Sequence, residues 1–547
     1  MASDLEQGHT RNNDSEERST AGIGACGTPV DSLVSSRNSL AGAGWRCREV
    51  SASPCEDLGV SASRHLPFSW LNPVPLWKSR NEILRGYFGD PTNAERRRWI
   101  KTQREAGKLP PDQIIEDHAN LEKVSFLVVG DTGEGDDSQC AVVKPLLAQG
   151  QDTHFMVICS DVIYPAGDIE DYEAKFYEPY EDYEHPIYAL PGNHDWYDGL
   201  NGFMYHLCGA EATALATPKE RASSWKERLR RLLWRKPRVD PASLPERKRT
   251  EGARRSNQRS PYFAIETGPL LIVGLDTGMG YPLDCEQGEW LKKISKIDKP
   301  KLLLTGLPIY WNCGYHDCGT GTYSEGEVEG GGTVDGIVRD PEHNYVAVIG
   351  GNIHNYQRYL VRVEGREMRI PHIVSGGGGA YMHATHTIPK VEAVDVDEDS
   401  FVCYPRRGDS LSFYSSLYDR RFALGKGWLE IPPDEAAAYM GQQLGITPER
   451  EEDQKAYVSK RTQRIAKWIL PRGKGGSDIL HKHFSEFFDW NTPPLFKNFL
   501  RIDASMSEVC IRCFAATGCQ EHAENPPLED EIKIQLNTSR APSAVEG

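Results

Sequence analysis

The chain has 547 residues, of which 39% are hydrophobic, enough to bury a large core and to hold more than one domain. A formal net charge of −16 argues against a general nucleic-acid binder, so no specific nucleic-acid partner is expected. Thirteen scattered cysteines, no amino-terminal apolar leader and no apolar run near the roughly 18 residues of a bilayer span read as reduced thiols in a soluble, cytoplasmic protein.

Residues 1–65 are rich in Ser, Gly, Ala and charge with one aromatic, Trp45, and read as disordered because little apolar surface offsets the ordering entropy. Residues 66–123 read as a helical extension, with Ile83, Leu84, Tyr87 and Phe88 at helical spacing and a break at Pro110-Pro111. A core at 124–390 alternates β-rich runs with helical stretches, which is the pattern of an α/β layer fold. Its expected strands include Phe126–Val129, Phe155–Ile158, Ile187–Leu190, Tyr262–Thr267, Leu270–Asp276, Lys301–Thr305, Tyr345–Ile349 and His372–Ser375, with a helix near Gln139–Leu147.

A basic insertion occupies 213–260. Between Lys219 and Arg259 it holds fifteen Lys/Arg against five Asp/Glu. Trp225, Leu229, Leu232 and Leu233 fall at helical spacing, giving either a solvated helix docked by its apolar stripe or a basic amphipathic surface for an anionic membrane or phosphate-rich ligand. Residues 391–547 read as a C-terminal extension. Helices are expected at Asp434–Leu444 and Lys455–Leu470, and closing strands at Phe499–Asp503, Glu508–Phe514 and Glu531–Leu536. Cys510 and Cys513, with Cys519 and His522 nearby, suit zinc only on a turn. The local pattern reads as a strand instead, where residues three apart point to opposite faces. No internal repeat is visible.

Five segments carry chemistry: Gly130-Asp131-Thr132-Gly133, Ser160-Asp161-Val162-Ile163-Tyr164, Gly192-Asn193-His194-Asp195, Thr305-Gly306-Leu307-Pro308 and Gly351-Asn352-Ile353-His354. Each lies near the end of a β-rich run, where loops of an α/β sheet converge. In that order they resemble the calcineurin-like metallophosphoesterases, and within them most nearly the purple acid phosphatase branch. The family usually opens with Asp-x-His. Here Gly133 replaces that histidine and Tyr164, three residues after Asp161, stands where the purple branch supplies a tyrosinate.

The resemblance implies an αββα sandwich of two packed sheets flanked by helices, and metal-dependent hydrolysis of a phosphoester. The alternative is a catalytically weak or inactive protein of this fold that binds phosphate or a partner. Carried over, the first metal site is Asp131, Asp161, Tyr164 and His354, a hard anionic set suited to Fe or Mn. The second takes Asp161, Asn193 and Asn352 and is degenerate, because Gly306 and Asn352 stand where the family has histidines. It should hold Mn, Mg or Ca, or stay vacant. His194 resembles the phosphate-contacting, proton-donating histidine, with Asp168 or Asp195 to orient its ring, and His316 resembles a second phosphate contact. The glycine run 376–379 reads as close backbone packing. His383 and His386 are candidate replacement donors.

Overall fold

Period-two alternation fixes the layers. Along Lys123–Val129, Phe126 and Val128 face one side and Leu127 and Val129 the other, and both sides are buried. The computed structural model describes residues 55, 58, 73–215, 225–235, 239–280, 282–316, 318–321, 332–364, 369–391, 395–448, 451–470, 496–516 and 527–536. The disorder expected for 1–65 therefore lies, apart from Cys55 and Leu58, outside the described residues, as do Cys519 and His522.

The strands are β1 (Ile114–His118), β2 (Lys123–Val129), β3 (Phe155–Cys159), β4 (Ile187–Leu190), β5 (Phe263–Thr267), β6 (Leu271–Leu275), β7 (Lys301–Thr305), β8 (Tyr310–Trp311), β9 (Gly314–Tyr315), β10 (Tyr345–Gly350), β11 (Tyr356–Val361), β12 (Ile370–Ser375), β13 (Val402–Tyr404), β14 (Asn498–Ser505), β15 (Glu508–Ala515) and β16 (Leu528–Gln535). One sheet has the order β1-β5-β6-β7-β10-β12-β11-β13, the other β16-β15-β14-β2-β3-β4, and β8 pairs with β9 as a hairpin.

The inner faces meet in one core, where Phe126, Val128, Phe155 and Val157 join Ile265, Leu302, Leu304 and Ile349. Outside the six-stranded sheet, Leu127 and Val129 pack on Val142, Val143 and Leu146 of the helix Asp137–Gly150, which Asp136 caps through Ser138 N and Gln139 N. Outside the eight-stranded sheet, Leu271, Val273 and Leu303 pack on Leu291 and Ile294 of the helix Cys285–Ser295. The fold is the αββα sandwich.

Several elements depart from the sequence reading. Ile114–His118, expected within a helical extension, is an edge strand paired with β5. The helix Arg407–Phe422 carried no periodic signal because nearly all its faces are buried. Its serines satisfy their hydroxyls locally, Ser415 on the Ser412 carbonyl and Ser416 on the Phe413 carbonyl. Cys55 and Cys140 form a disulfide, which corrects the expectation that all thiols are reduced. Cys510 and Cys513 lie in β15 as expected of a strand, both buried.

A buried ionic group ties the helix Thr92–Glu105 to the core. Arg96, 1% exposed, donates to Asp276 Oδ2 and Asp284 Oδ2, each at 2.7 Å, and Asp276 Oδ1 also accepts from Trp196 Nε1 at 3.0 Å. Replacing one member of a buried ionic group strands the others without charge compensation. Arg96→Ala should therefore lower unfolding stability by about 3–5 kcal/mol, read from chemical denaturation. A loss below about 1 kcal/mol would show that water replaces the guanidinium at no cost.

Candidate metal centre

Parallel pairing brings the first three motifs side by side. β2 runs parallel to β3, and β3 to β4, so Asp131, Asp161 and Asn193 leave adjacent strands at the same edge. In the other sheet β7 runs parallel to β10, placing Gly306 beside Asn352 and His354. The two edges touch where Asn352 N donates to Asp131 Oδ2 at 2.7 Å, and within the six-stranded sheet Asp131 N donates to the Ser160 carbonyl at 3.1 Å. Asp131, Ser160, Asp161 and Asn352 all have positive φ, of 58°, 86°, 35° and 62°. Non-glycine residues rarely adopt that region, at a cost of about 1–3 kcal/mol each where the surroundings over-determine it.

Tyr164 is the hub. Its Oη lies 3.2 Å from Asp131 Oδ1, 3.0 Å from Asp161 Oδ2 and 3.2 Å from His354 Nε2, and all four residues are buried. The His354 Nδ1 sits 2.7 Å from the Tyr381 carbonyl, which can only accept. Nδ1 therefore carries the hydrogen and Nε2 presents its lone pair inward. A phenol has one hydrogen, and here it faces three acceptors. No Lys or Arg pairs with either carboxylate among the described residues. Burial, with Asp161 alongside, holds the Asp131 carboxyl well above the usual carboxylate range. Burial also raises the Tyr164 phenol, with Asp161 and Asp131 adding to it, and pushes the His354 imidazole well below its ordinary value.

Such a group needs a proton or a cation. Donors around one small cation at about 2.1 Å stand about 3 Å apart, which is the spacing seen around Tyr164 Oη. The set thus fits the metal that its chemistry implies. Counting only His, Cys, Asp and Glu, no group of three is gathered closely enough to hold an ion among the described residues.

The second set is partly assembled. Asn193 Nδ2 donates to Tyr197 Oη at 2.8 Å, while its buried Oδ1 has no hydrogen-bond partner among the described residues. Glycine stands at two positions where the resemblance implies a histidine, Gly306 and Gly133. At Gly306 an added Cβ would stand 2.8 Å from Thr277 Oγ1 and 3.0 Å from the Pro191 carbonyl oxygen, so the Thr277 side chain and the Pro191 carbonyl crowd that position. Thr277 Oγ1 accepts from Leu307 N at 2.9 Å and holds the loop there. Gly133 is tighter, its Cβ position 1.8 Å from the Val162 carbonyl oxygen. Without a side chain there, Tyr164 N reaches the Gly133 carbonyl at 2.9 Å.

His194 joins the cluster, its ring 4.5 Å from that of Tyr164. Its Nδ1 meets the Pro165 carbonyl at 2.9 Å, which corrects the expectation of a carboxylate partner. Asp168 instead pairs with Lys78, at 2.8 Å, and with Arg235. Asp195 accepts from Val162 N, Ile163 N and Gly192 N and so clasps two motif loops together. The ring of His316 stacks on Trp311 at 4.2 Å on the β8–β9 hairpin, and no hydrogen bond or ring contact joins it to Tyr164 among the described residues. His383 stacks on His354 at 4.4 Å, whereas His386 bonds Ser410 Oγ away from the cluster. Sequence could not find the Pro165 and Tyr381 carbonyls, since any residue type supplies one.

Residues 124–234 match the calcineurin-like phosphoesterase family. Among solved structures, the chain is similar to a purple acid phosphatase from yellow lupin (Lupinus luteus) seeds at 10% identity, with 76% of this chain and 55% of that one covered and a TM-score of 0.39. It is also similar to PhoD at 11% identity, covering 78% of this chain and 71% of that one, with a TM-score of 0.32. The chain thus spans little more than half the length of the lupin enzyme. Comparison with curated proteins finds no match.

Metal and proton compete for one place. Mn(II) binding should release protons, measured as a buffer-dependent calorimetric enthalpy, and affinity should fall as pH falls and the raised Asp131 carboxyl takes up its proton. Tyr164→Phe should weaken binding about tenfold or more. Unchanged affinity in the folded variant would remove Tyr164 from the ligand set.

Proposed function

We propose that this chain, which carries a calcineurin-like phosphoesterase domain, is a metal-dependent phosphoester hydrolase working chiefly through one tightly held metal at Asp131, Asp161, Tyr164 and His354. The observation behind this reading is the single phenolic hydrogen of Tyr164 facing three buried acceptors. A metal bound there supplies Lewis acidity, polarising a phosphoryl oxygen and acidifying water. The protein's own groups do the rest. His194 Nδ1 is held by the Pro165 carbonyl, so Nε2 is the nitrogen that exchanges a proton and meets phosphate or leaving group. Asp195 keeps the loops of Asp161 and Asn193 in register, so both arrive preorganised.

The absence of a side-chain donor at Gly306, with Thr277 crowding the position, favours a second reading, a protein of this fold that binds phosphate or a partner with little turnover, because one of the two clamps on an in-line displacement is weakened. Hydrolysis of chromogenic mono- and diesters across Mn, Fe, Mg and Ca, with metal content measured on the same sample, separates the two. The enzyme reading expects one tightly held metal and turnover that rises with added Mn or Fe. Metal uptake without turnover favours the binding reading.

Iron gives a spectroscopic check. Tyrosinate bound to Fe(III) absorbs visible light, so iron-loaded protein should be coloured and Tyr164→Phe colourless at equal iron content. Equal colour in both would exclude Tyr164 as the chromophore. Asn352→His adds a donor at a position whose φ of 62° histidine tolerates. It should tighten second-metal binding, whereas Gly306→His should fail to do so until Thr277 is also made smaller.

A further inference from the structure

The segment Trp225–Leu233 reads WKERLRRLL, four basic residues and one acidic around an apolar stripe of Trp225, Leu229 and Leu232 at helical spacing. A stripe of that kind normally docks on a core. Here none of the nine residues is buried, and Trp225 and Leu232 are 68% and 79% exposed. Leu229 is half-buried, so the expectation of a helix docked by its whole stripe is corrected for Trp225 and Leu232. Contact with the rest of the protein runs through polar groups: Arg80 Nε donates to the Leu233 carbonyl at 2.9 Å, and Arg230 reaches the Gly89 carbonyl.

The neighbouring helices repeat the feature. On the helix Asn81–Phe88, Ile83 and Tyr87 stand four apart and are 66% and 75% exposed. Trp77, on the short helix before it, is 67% exposed and lies under the Arg80 guanidinium at 4.4 Å, the same arginine that holds Leu233. Large apolar side chains left in water on adjacent elements mark a contact surface.

Charge selects the occupant. The later part of the insertion uses its basic residues internally: Lys248 pairs with Glu173, Arg254 with Glu184, and Arg249 donates to the carbonyls of Tyr180, Tyr183 and His185. Lys226 and Arg228 instead stand exposed beside Trp225. Protein interface cores are depleted of lysine. Aromatic anchors interleaved with Lys and Arg suit the headgroup region of a bilayer, where rings sit at the acyl boundary and cations meet lipid phosphate. In a chain of net charge −16 an anionic surface would repel most other faces and orient this one inward.

We propose that the face built from Trp77, the helix Asn81–Phe88 and the helix Trp225–Leu233 docks on an anionic lipid bilayer. The docked face is tied to the candidate metal centre. Lys78 and Arg235, at its two ends, both pair with Asp168, four residues after Tyr164. The inference stands whether or not the chain hydrolyses phosphoesters.

Flotation of the full-length protein with vesicles of phosphatidylcholine, alone or mixed with phosphatidylserine, tests it. The expected result is binding to the mixed vesicles only, weakened by salt. Quenching of tryptophan by lipids brominated on the acyl chain should report insertion. Trp225→Ser with Leu232→Ser should reduce partitioning about tenfold or more, and Lys226→Gln with Arg228→Gln about fivefold per charge removed. These side chains are exposed, so an unchanged denaturation midpoint shows that each variant folds. Absence of flotation at low salt, or equal flotation by both variants, overturns the proposal. So does a concentration-dependent dimer that Trp225→Ser abolishes, which would make a second copy of the chain the occupant.

Discussion

One hydrogen among three acceptors is the constraint on which the centre of this protein depends. Tyr164 Oη faces two carboxylates and an imidazole lone pair, and no Lys or Arg among the described residues is within ion-pair distance of either carboxylate. Such a cluster does not assemble unaided. Four non-glycine residues in left-handed backbone hold it open, and the parallel strands behind them supply the rigidity that makes the strain tolerable. The energetic cost is concentrated at one edge of the sandwich, and the apolar core between the sheets offsets it.

Much of this was legible because ligand motifs are local. Asp131, Asp161, Tyr164, Asn193 and His354 each sit at a strand end visible from β-rich runs, and their order carried the family resemblance. The exchange of a histidine at 133 for a tyrosine at 164 has a steric reading once the backbone is seen: the bare Gly133 lets the Val162 loop close in. What could not be read was supplied by main-chain atoms or by distant partners. Carbonyls of Pro165 and Tyr381 set two imidazole tautomers, and Asp168 is drawn off by Lys78 and Arg235 from elements far away in sequence. The strand at Ile114–His118 and the helix at Arg407–Phe422 escaped for related reasons. The first takes its conformation from β5, and the second is buried all round and so shows no stripe.

The two missing histidines also separate on structural grounds. At Asn352 the backbone N–H bonds Asp131, which keeps that position against the candidate centre. At Gly306 the space itself has gone to Thr277 and Pro191. A substitution that merely removed a ligand would leave a hollow lined by its former neighbours. Packing of Thr277 against Leu307 points to a loop settled in its present form.

The position of β14 has a temporal consequence. It pairs antiparallel with β2, Leu500 opposite Val128, and Asp131 follows that strand within three residues. During synthesis the strand that delivers the first carboxylate therefore waits, one edge unsatisfied, until the chain has grown from Val129 to Asn498. That edge is closed by the fourth of the sheet's six strands in chain order, with β15 and β16 still to follow. Any chain cut short before residue 498 would carry every candidate ligand and still present β2 as a raw edge.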